Sequence, residues 1–436
     1  MNCPYPGCGG EIPANTQGHC VHCHQRLFIC PDCGQPARAL ARYCTKCGSR
    51  LPDREAWGQV RGGHRQTGYV AMEFPWPESG EEWRPHKSLR LGRPRPAALV
   101  GGFGYVFIAA GEEGVRVWDP ILGEVAATCL TGDGTSVQQA PAVSGRTLVA
   151  CADKGRQTDR GRVAWFDLQA VIGGASDRAV VTATVDYDLD PGDEPVHPPV
   201  LIHGPGGKPL VLVATRRALL ALTEGQLLWR RPLQSSVALP AVADGRVWEL
   251  SAETLVDIDL QTGQEGQPVP LREPANPDAG VIADDGFVYF MTQTGRLMYL
   301  QQGRIRRPVP VAATEFPGVT GHGWDGRNHW ISTLMGLFSI GFGDHVDWTA
   351  RDNDVQTLPV LLNGTALAGG MDESDHGVIF VHHSAVGSNK PYTLFVSDQP
   401  VASGPVLVDG AIICCTNRGQ VVSLVRKPAT ESGQEG

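Results

Sequence analysis

The chain has 436 residues, 42% of them hydrophobic, with 54 Gly, 33 Pro and a formal net charge of −9. That balance supports a sizeable core with many turns rather than long helices, and it argues against a general nucleic-acid coat. No run of 18 apolar residues is present and MNCPYPGCGG lacks the basic-then-apolar pattern of a secretory signal, so the expectation is a cytoplasmic protein with no membrane partner.

Eight of the 12 cysteines fall within residues 1–50, as four pairs: Cys3 with Cys8, Cys20 with Cys23, Cys30 with Cys33 and Cys44 with Cys47. In a reducing compartment such pairs read as metal ligands rather than disulfides. A Cys-x-x-Cys knuckle lets two thiolates reach one tetrahedral ion, and Gly9, Gly34 and Gly48, each directly after a cysteine, let backbone amides approach the sulfurs. The expectation is two structural Zn2+, each held by two successive knuckles. So few large apolar side chains would not fold this unit without metal. His19, His22 and His24 lie close by, but four thiolates per ion leave them no vacancy. The stretch FICPDCGQPARALARYCTKCGSRLP resembles double zinc ribbon domains. CPYPGCGGEI…GHCVHC resembles the short ribbon at the front of some bacterial signalling kinases, departing from it at His24, where a Gly normally follows the last Cys. Arg26, Arg38, Arg42, Lys46 and Arg50 against Glu11 and Asp32 give the unit a formal +3. Each zinc with four thiolates carries −2, which brings the unit near −1. Phe28 and Tyr43 suit packing as well as base stacking, so protein docking is preferred over nucleic-acid binding.

Residues 51–66 (LPDREAWGQVRGGHRQ) are polar, Gly-rich and aperiodic, and read as a flexible linker. Tyr69 to Phe74 reads as one isolated strand. The Pro-broken stretch that follows carries Arg84, Lys87, Arg90, Arg93 and Arg95; a solvated loop is the plainer reading, a phosphate contact the sharper one.

From Gly104 to Val125 the chain reads strand, Gly-containing turn, strand, turn, and this pattern recurs seven more times. Marker positions at the middle of the later strand are Val117, Trp165, Ala221, Asp257, Tyr299, Ser339, Val381 and Ser423, spaced 48, 56, 36, 42, 40, 42 and 42 residues. A period of this size with several strands per unit signals propeller blades. The expected fold is therefore all-β: an eight-bladed propeller over residues 67–426, with seven blades and one degenerate repeat as the alternative. The longest insertion, GGASDRAVVTATVDYDLDPGDEP, is placed on a rim. The last repeat stops at Val425 without a fourth strand, so Tyr69 to Phe74 is expected to complete it and close the ring. Residues 427–436 read as a disordered tail.

The wording of the repeats, seen in GFVYFMTQTGRLMYLQQG from Gly286 and TLVDIDLQTG from Thr254, resembles the PQQ-like repeat family, with WD40-like architecture. The resemblance implies a fold and also raises a quinoprotein reading. Cys414 and Cys415 would be its vicinal pair, but they lie within a strand and point to opposite faces. No Glu/Asn/Asp set for an assisting calcium can be assigned. His382, His383 and His376 near Asp372, Glu373 and Asp375 could suggest a metal, yet the adjacent histidines also alternate faces. Asp119, Asp167 and Asp259 recur at one place in several repeats, which is turn chemistry. Trp118, Trp165, Trp229, Trp248 and Trp330 suit blade packing. His197 and His322 are rim candidates with no evident partner. No P-loop, nucleophile elbow or kinase signature set appears.

The expected function is a non-enzymatic cytosolic scaffold or regulatory subunit. Ribbon-plus-propeller proteins of this look resemble the propeller components of bacterial systems built around a MoxR-type AAA+ ATPase and a von Willebrand A-domain protein, which implies those two as protein partners. A bacterial source also suits 31 Arg against 6 Lys. The alternatives are a nucleic-acid-associated zinc-ribbon factor and a ligand-sensing or quinoprotein-like propeller with a polar axial pocket.

Overall fold

The structure is a computed structural model. It describes residues 1–5, 8–13, 19–23, 27–38, 41, 43–49, 51, 59, 63, 65–66, 70, 74, 76–77, 81–92, 97–153, 160–173, 178–179, 181–190, 193–203, 208–233, 237–301, 303–306, 318–334, 336–341, 346–348, 354–383 and 392–428.

The strand Pro209–Ala214 (PLVLVA) shows how the apolar repeats are used. Val211 and Val213 pack against Val149 and Trp165 of the sheet before it, while Leu210, Leu212 and Ala214 pack against Val242 and Ile258 of the sheet after it. A strand buried on both faces reads as a continuous apolar run. Successive sheets share clusters of this kind all the way along the chain. The last cluster joins Ile412 and Val421 of the final sheet to Val106, Ile108 and Trp118 of the first, so the arrangement closes on itself.

Apart from the small N-terminal pairing of Leu27–Ile29 with Pro36–Arg38, the described strands form eight sheets of four or five strands. The first runs Leu99–Gly102, Tyr105–Ala109, Val115–Asp119 and Glu124–Cys129. All eight marker positions, from Val117 to Ser423, fall in the third strand of successive sheets. The fold is an eight-bladed β-propeller in which the first strands of neighbouring blades touch around the axis. Asp-Gly hairpins at 244–245, 285–286 and 409–410 hold both residues at positive φ, matching the twist of a two-residue turn.

Several local readings are corrected. The strand that completes the eighth blade is Glu81–Arg90, paired antiparallel with Gln420–Pro428 from Glu81↔Pro428 to Arg90↔Gln420. The sequence pattern points instead to Tyr69 to Phe74 for that place and to a loop over Arg84 to Arg95. Pro85 and five charged residues disguise the strand. It tolerates them because it is the outer edge of its sheet, with a register shift between Pro85 and Lys87. Of Tyr69 to Phe74 only Val70 and Phe74 are described, and Arg93 and Arg95 lie outside the described residues. The insertion of the second blade is not simply a rim loop. Its Val181–Asp188 is that blade's outermost strand, and Arg178–Ala179 adds in parallel to Glu124–Cys129 of the first blade. The expected disordered tail begins inside a strand, at Lys427 and Pro428; 429–436 lie outside the described residues.

Candidate metal centres and the axial channel

The knuckles come together in sequence order: Cys3, Cys8, Cys20 and Cys23 form one group, and Cys30, Cys33, Cys44 and Cys47 the other, each with its sulfurs within 4.8 Å of one another. Sγ···Sγ separations are 3.7 Å for Cys3–Cys23, 3.6 Å for Cys8–Cys20, 3.7 Å for Cys30–Cys47 and 3.5 Å for Cys33–Cys44. These are not disulfide distances. They match the edge of a thiolate tetrahedron, about 3.8 Å when metal–sulfur bonds are about 2.3 Å. Both groups could therefore hold a metal ion with four thiolate ligands.

The knuckle turns and nearby donors favour the thiolate at Cys20 and Cys47, one cysteine of each group. Gly34 N–H donates to the Cys30 carbonyl at 2.8 Å and Gly48 N–H to the Cys44 carbonyl at 2.9 Å, both glycines at positive φ. Burial pushes the Cys20 thiol up, but the Cys23 and His22 backbone N–H groups bring it down to about 6. Around Cys47 the Ser49 hydroxyl and backbone N–H bring the thiol down to about 6. Arg38 Nε donates to the Pro4 carbonyl at 2.7 Å and so ties the second cysteine unit to the first. His22 Nε2 bonds the Glu11 carbonyl at 3.1 Å, and His22 belongs to neither four-thiol group; His24, Arg26, Arg42 and Arg50 lie outside the described residues.

His19 reaches out of the ribbon instead. Its Nε2 lies 2.7 Å from the Asp119 carboxylate, which is 2% exposed at the end of the first blade's third strand. The other oxygen of Asp119 accepts the Ile121 and Leu122 N–H groups, each at 2.9 Å. Asp259 makes the same turn, accepting from Gln261 and Thr262, and Asp167 accepts from Gln169. The recurring aspartates are turn caps, and one of them also docks the ribbon.

Gln59 and Arg65, described residues of the segment read as a flexible linker, and Val70 beyond it make contacts with the ring. Gln59 is 9% exposed. Its Nε2 donates to the Leu201 carbonyl at 2.7 Å, and the Leu201 N–H donates back to its Oε1 at 2.9 Å. Leu201 belongs to Val200–His203, the first strand of the third blade. Ala283 N–H, on the first strand of the fifth blade, donates to the Arg65 carbonyl at 3.1 Å, and Arg65 Nη1 donates to Asp284 at 2.7 Å. Val70 N–H donates to the Leu361 carbonyl, on the first strand of the seventh, at 2.9 Å. The channel edge of an innermost strand has backbone groups with no strand partner, and these contacts satisfy some of them. Gln59 also lines an axial cavity of about 250 Å3, with Leu99, Thr320, Val360 and Val406 from four other blades. Gln66, at positive φ, is 1% exposed. No periodicity marks these residues; a buried glutamine in a Gly-rich stretch carries no sequence signal beyond its polarity.

The remaining candidates have structural partners. Cys414 and Cys415 are fully buried in Ala411–Thr416 and pair with Val422 and Val421; burial, with the adjacent Cys415, pushes the Cys414 thiol up. Asp372 caps its own turn through the Ser374 and His376 N–H groups at 2.9 Å, with His376 Nδ1 3.4 Å from its carboxylate. His382 packs on Trp330 with ring centroids 5.2 Å apart; the His383 side chain lies outside the described residues. His197 bonds the Val237 carbonyl at 2.7 Å and His322 the Ala279 carbonyl at 3.2 Å, each bridging two blades rather than lining a rim. Trp118, Trp165 and Trp330 are fully buried between blades. In the basic stretch, Arg84 pairs with Glu82 and Lys87 lies against Gly123. No described helix is long and apolar enough to cross a membrane.

No protein-family model and no curated protein matches the chain. Solved structures resemble it in fold. The quinohemoprotein alcohol dehydrogenase of Comamonas testosteroni superposes with a TM-score of 0.60 at 11% identity, over 88% of this chain and 82% of that one. The computationally designed protein Ika8 gives 0.57 at 15% identity, over 77% and 98%. BamB from Moraxella catarrhalis gives 0.54 at 13% identity, over 81% and 100%. At these identities the likeness is one of propeller architecture.

Proposed function

We propose that this protein is a non-enzymatic binding platform, with two structural zinc ions in its ribbons and protein partners on its exposed faces. The observation that carries this reading is the axial channel. The centre of a propeller is a ready concave site, and here its inner strands are engaged by the chain's own Gln59, Arg65 and Val70. Four closely set thiolates per site suit zinc in a closed, structural role. The ribbon, docked through His19 and Asp119, adds a second surface to the ring. The partner class we assign is the MoxR-type AAA+ ATPase and von Willebrand A-domain pair implied by the architecture, in a bacterial cytoplasm.

Tagged full-length protein, recovered from its native host and washed at low and high salt, tests the assignment. An ATPase or A-domain protein retained at high salt is the expected result. Recovery of nucleic acid alone, released by salt, overturns it and makes the chain a nucleic-acid-associated factor.

A further inference from the structure

Between the ribbons and the second blade lies a cavity of about 520 Å3, a size and position typical of small-ligand sites, which concentrate where two units meet. The ribbons contribute Tyr5, Ala37 and Arg38, and the blade Arg146, Gln169 and Ile172. Two guanidinium groups therefore line it, one from each wall, and among the described residues no carboxylate does. Arg38 is held in place: Nε donates to the Pro4 carbonyl at 2.7 Å, and the guanidinium lies 5.9 Å from the centroid of the Tyr5 ring. Its two terminal nitrogens have no hydrogen-bond partner among the described residues. Arg146 lies in the turn between the blade's first two strands, with one terminal nitrogen 3.1 Å from Asp167 and its side chain 65% exposed.

We propose that this crevice binds a carboxylate carried on an apolar body. The carboxylate takes the terminal nitrogens of Arg38, Arg146 supplies a second positive charge, and the body lies on Tyr5, Ala37 and Ile172. A planar guanidinium matches a carboxylate in two parallel hydrogen bonds, and no acid among the described lining residues opposes the anion. Because the ligand contacts ribbon and blade together, binding also strengthens their docking. The same chemistry is offered by a free hydrophobic acid and by the C-terminus of a peptide ending in an apolar residue.

Isothermal titration of the full-length protein with 4-phenylbutyrate and with N-acetyl-Ala-Ala-Phe tests the proposal, each acid beside its carboxamide. The expected result is saturable one-to-one binding, weakened about tenfold or more in the carboxamide, in Arg38→Gln and in Arg146→Gln. Arg146→Gln leaves every contact within the ribbons intact, so it separates loss of the site from loosening of the ribbon. Tighter binding of the free acid assigns a small-molecule ligand, and tighter binding of the peptide assigns a protein terminus. Failure of both acids to saturate, equal binding of the carboxamides, or unchanged affinity in Arg146→Gln overturns it.

Discussion

His329 shows how one buried side chain couples this ring to pH. It lies in Asn328–Thr333, the second strand of the sixth blade, stacked on Trp324 with centroids 4.4 Å apart and edge-on to Tyr289 at 4.5 Å. It is 4% exposed, and its Nδ1 has no hydrogen-bond partner among the described residues. Burial pushes its pKa down to about 3, and burial lowers His197 too, against the pull of the Val237 carbonyl. The unfolded chain binds protons at these histidines near pH 6.5, whereas the folded ring keeps them neutral. The stability that neutral His329 carries is therefore complete above about pH 6.5 and is lost progressively as pH falls toward 3, and His197 acts in the same direction. Urea midpoints measured at pH 7.5, 6 and 5 should fall in that order. His329→Phe should flatten the decline, and an unchanged slope would assign the acid sensitivity to other groups.

At the scale of elements, the ring depends on a strand borrowed from the far end of the chain. Glu81–Arg90 covers the edge of Gln420–Pro428 that would otherwise present a row of unpaired backbone groups. One buried anchor holds it: Trp83, 8% exposed, whose ring lies 5.8 Å from that of Phe74 in the cluster joining the seventh, eighth and first blades. His86 Nε2 bonds the Ile121 carbonyl at 3.1 Å, and Ser423 Oγ donates to the Pro120 carbonyl at 2.9 Å. The turn that Asp119 caps is thus gripped from the closing strand and from the ribbon at once. Trp83→Ala should cost about 3–5 kcal/mol by cavity formation. Hydrogen exchange should rise first in Gln420–Pro428, not in the middle blades; uniform loosening around the ring would contradict this role for the seam.

At the scale of the molecule, two units of unequal self-sufficiency are joined. The ring is held by continuous apolar clusters between blades. Among the described residues, the buried clusters of the two cysteine units are Ile12, Cys20 and Leu27 in the first and Cys30, Cys44, Ala37 and Leu51 in the second. Metal removal should therefore separate their stabilities. Treatment with a strong chelator should make residues 1–50 protease-sensitive while the far-UV signal of the ring and its main thermal transition persist. Loss of both transitions together would show that the ribbon is required for the ring.

The blade repeats and the two four-cysteine groups are legible in the chain because each is written locally. Alternating apolar residues around Val117 or Tyr299 and thiol pairs such as Cys30 and Cys33 declare their geometry within a few residues. The closing strand is not legible, because an edge strand accepts Pro85 and many charges and so loses the pattern that marks an inner one. Nor are the places of Gln59, Arg65 and Val70, whose contacts with Leu201, Ala283, Asp284 and Leu361 are isolated hydrogen bonds with no period. His19 and Asp119 stand 100 residues apart and meet only because the ring brings the end of a third strand beneath the ribbon. The sequence by itself determined which units form, since periodicity and ligand spacing are properties of short segments. Where those units touch, which strand closes the ring and what lies along its axis were decided by tertiary structure, since these depend on long-range contacts that no local pattern encodes.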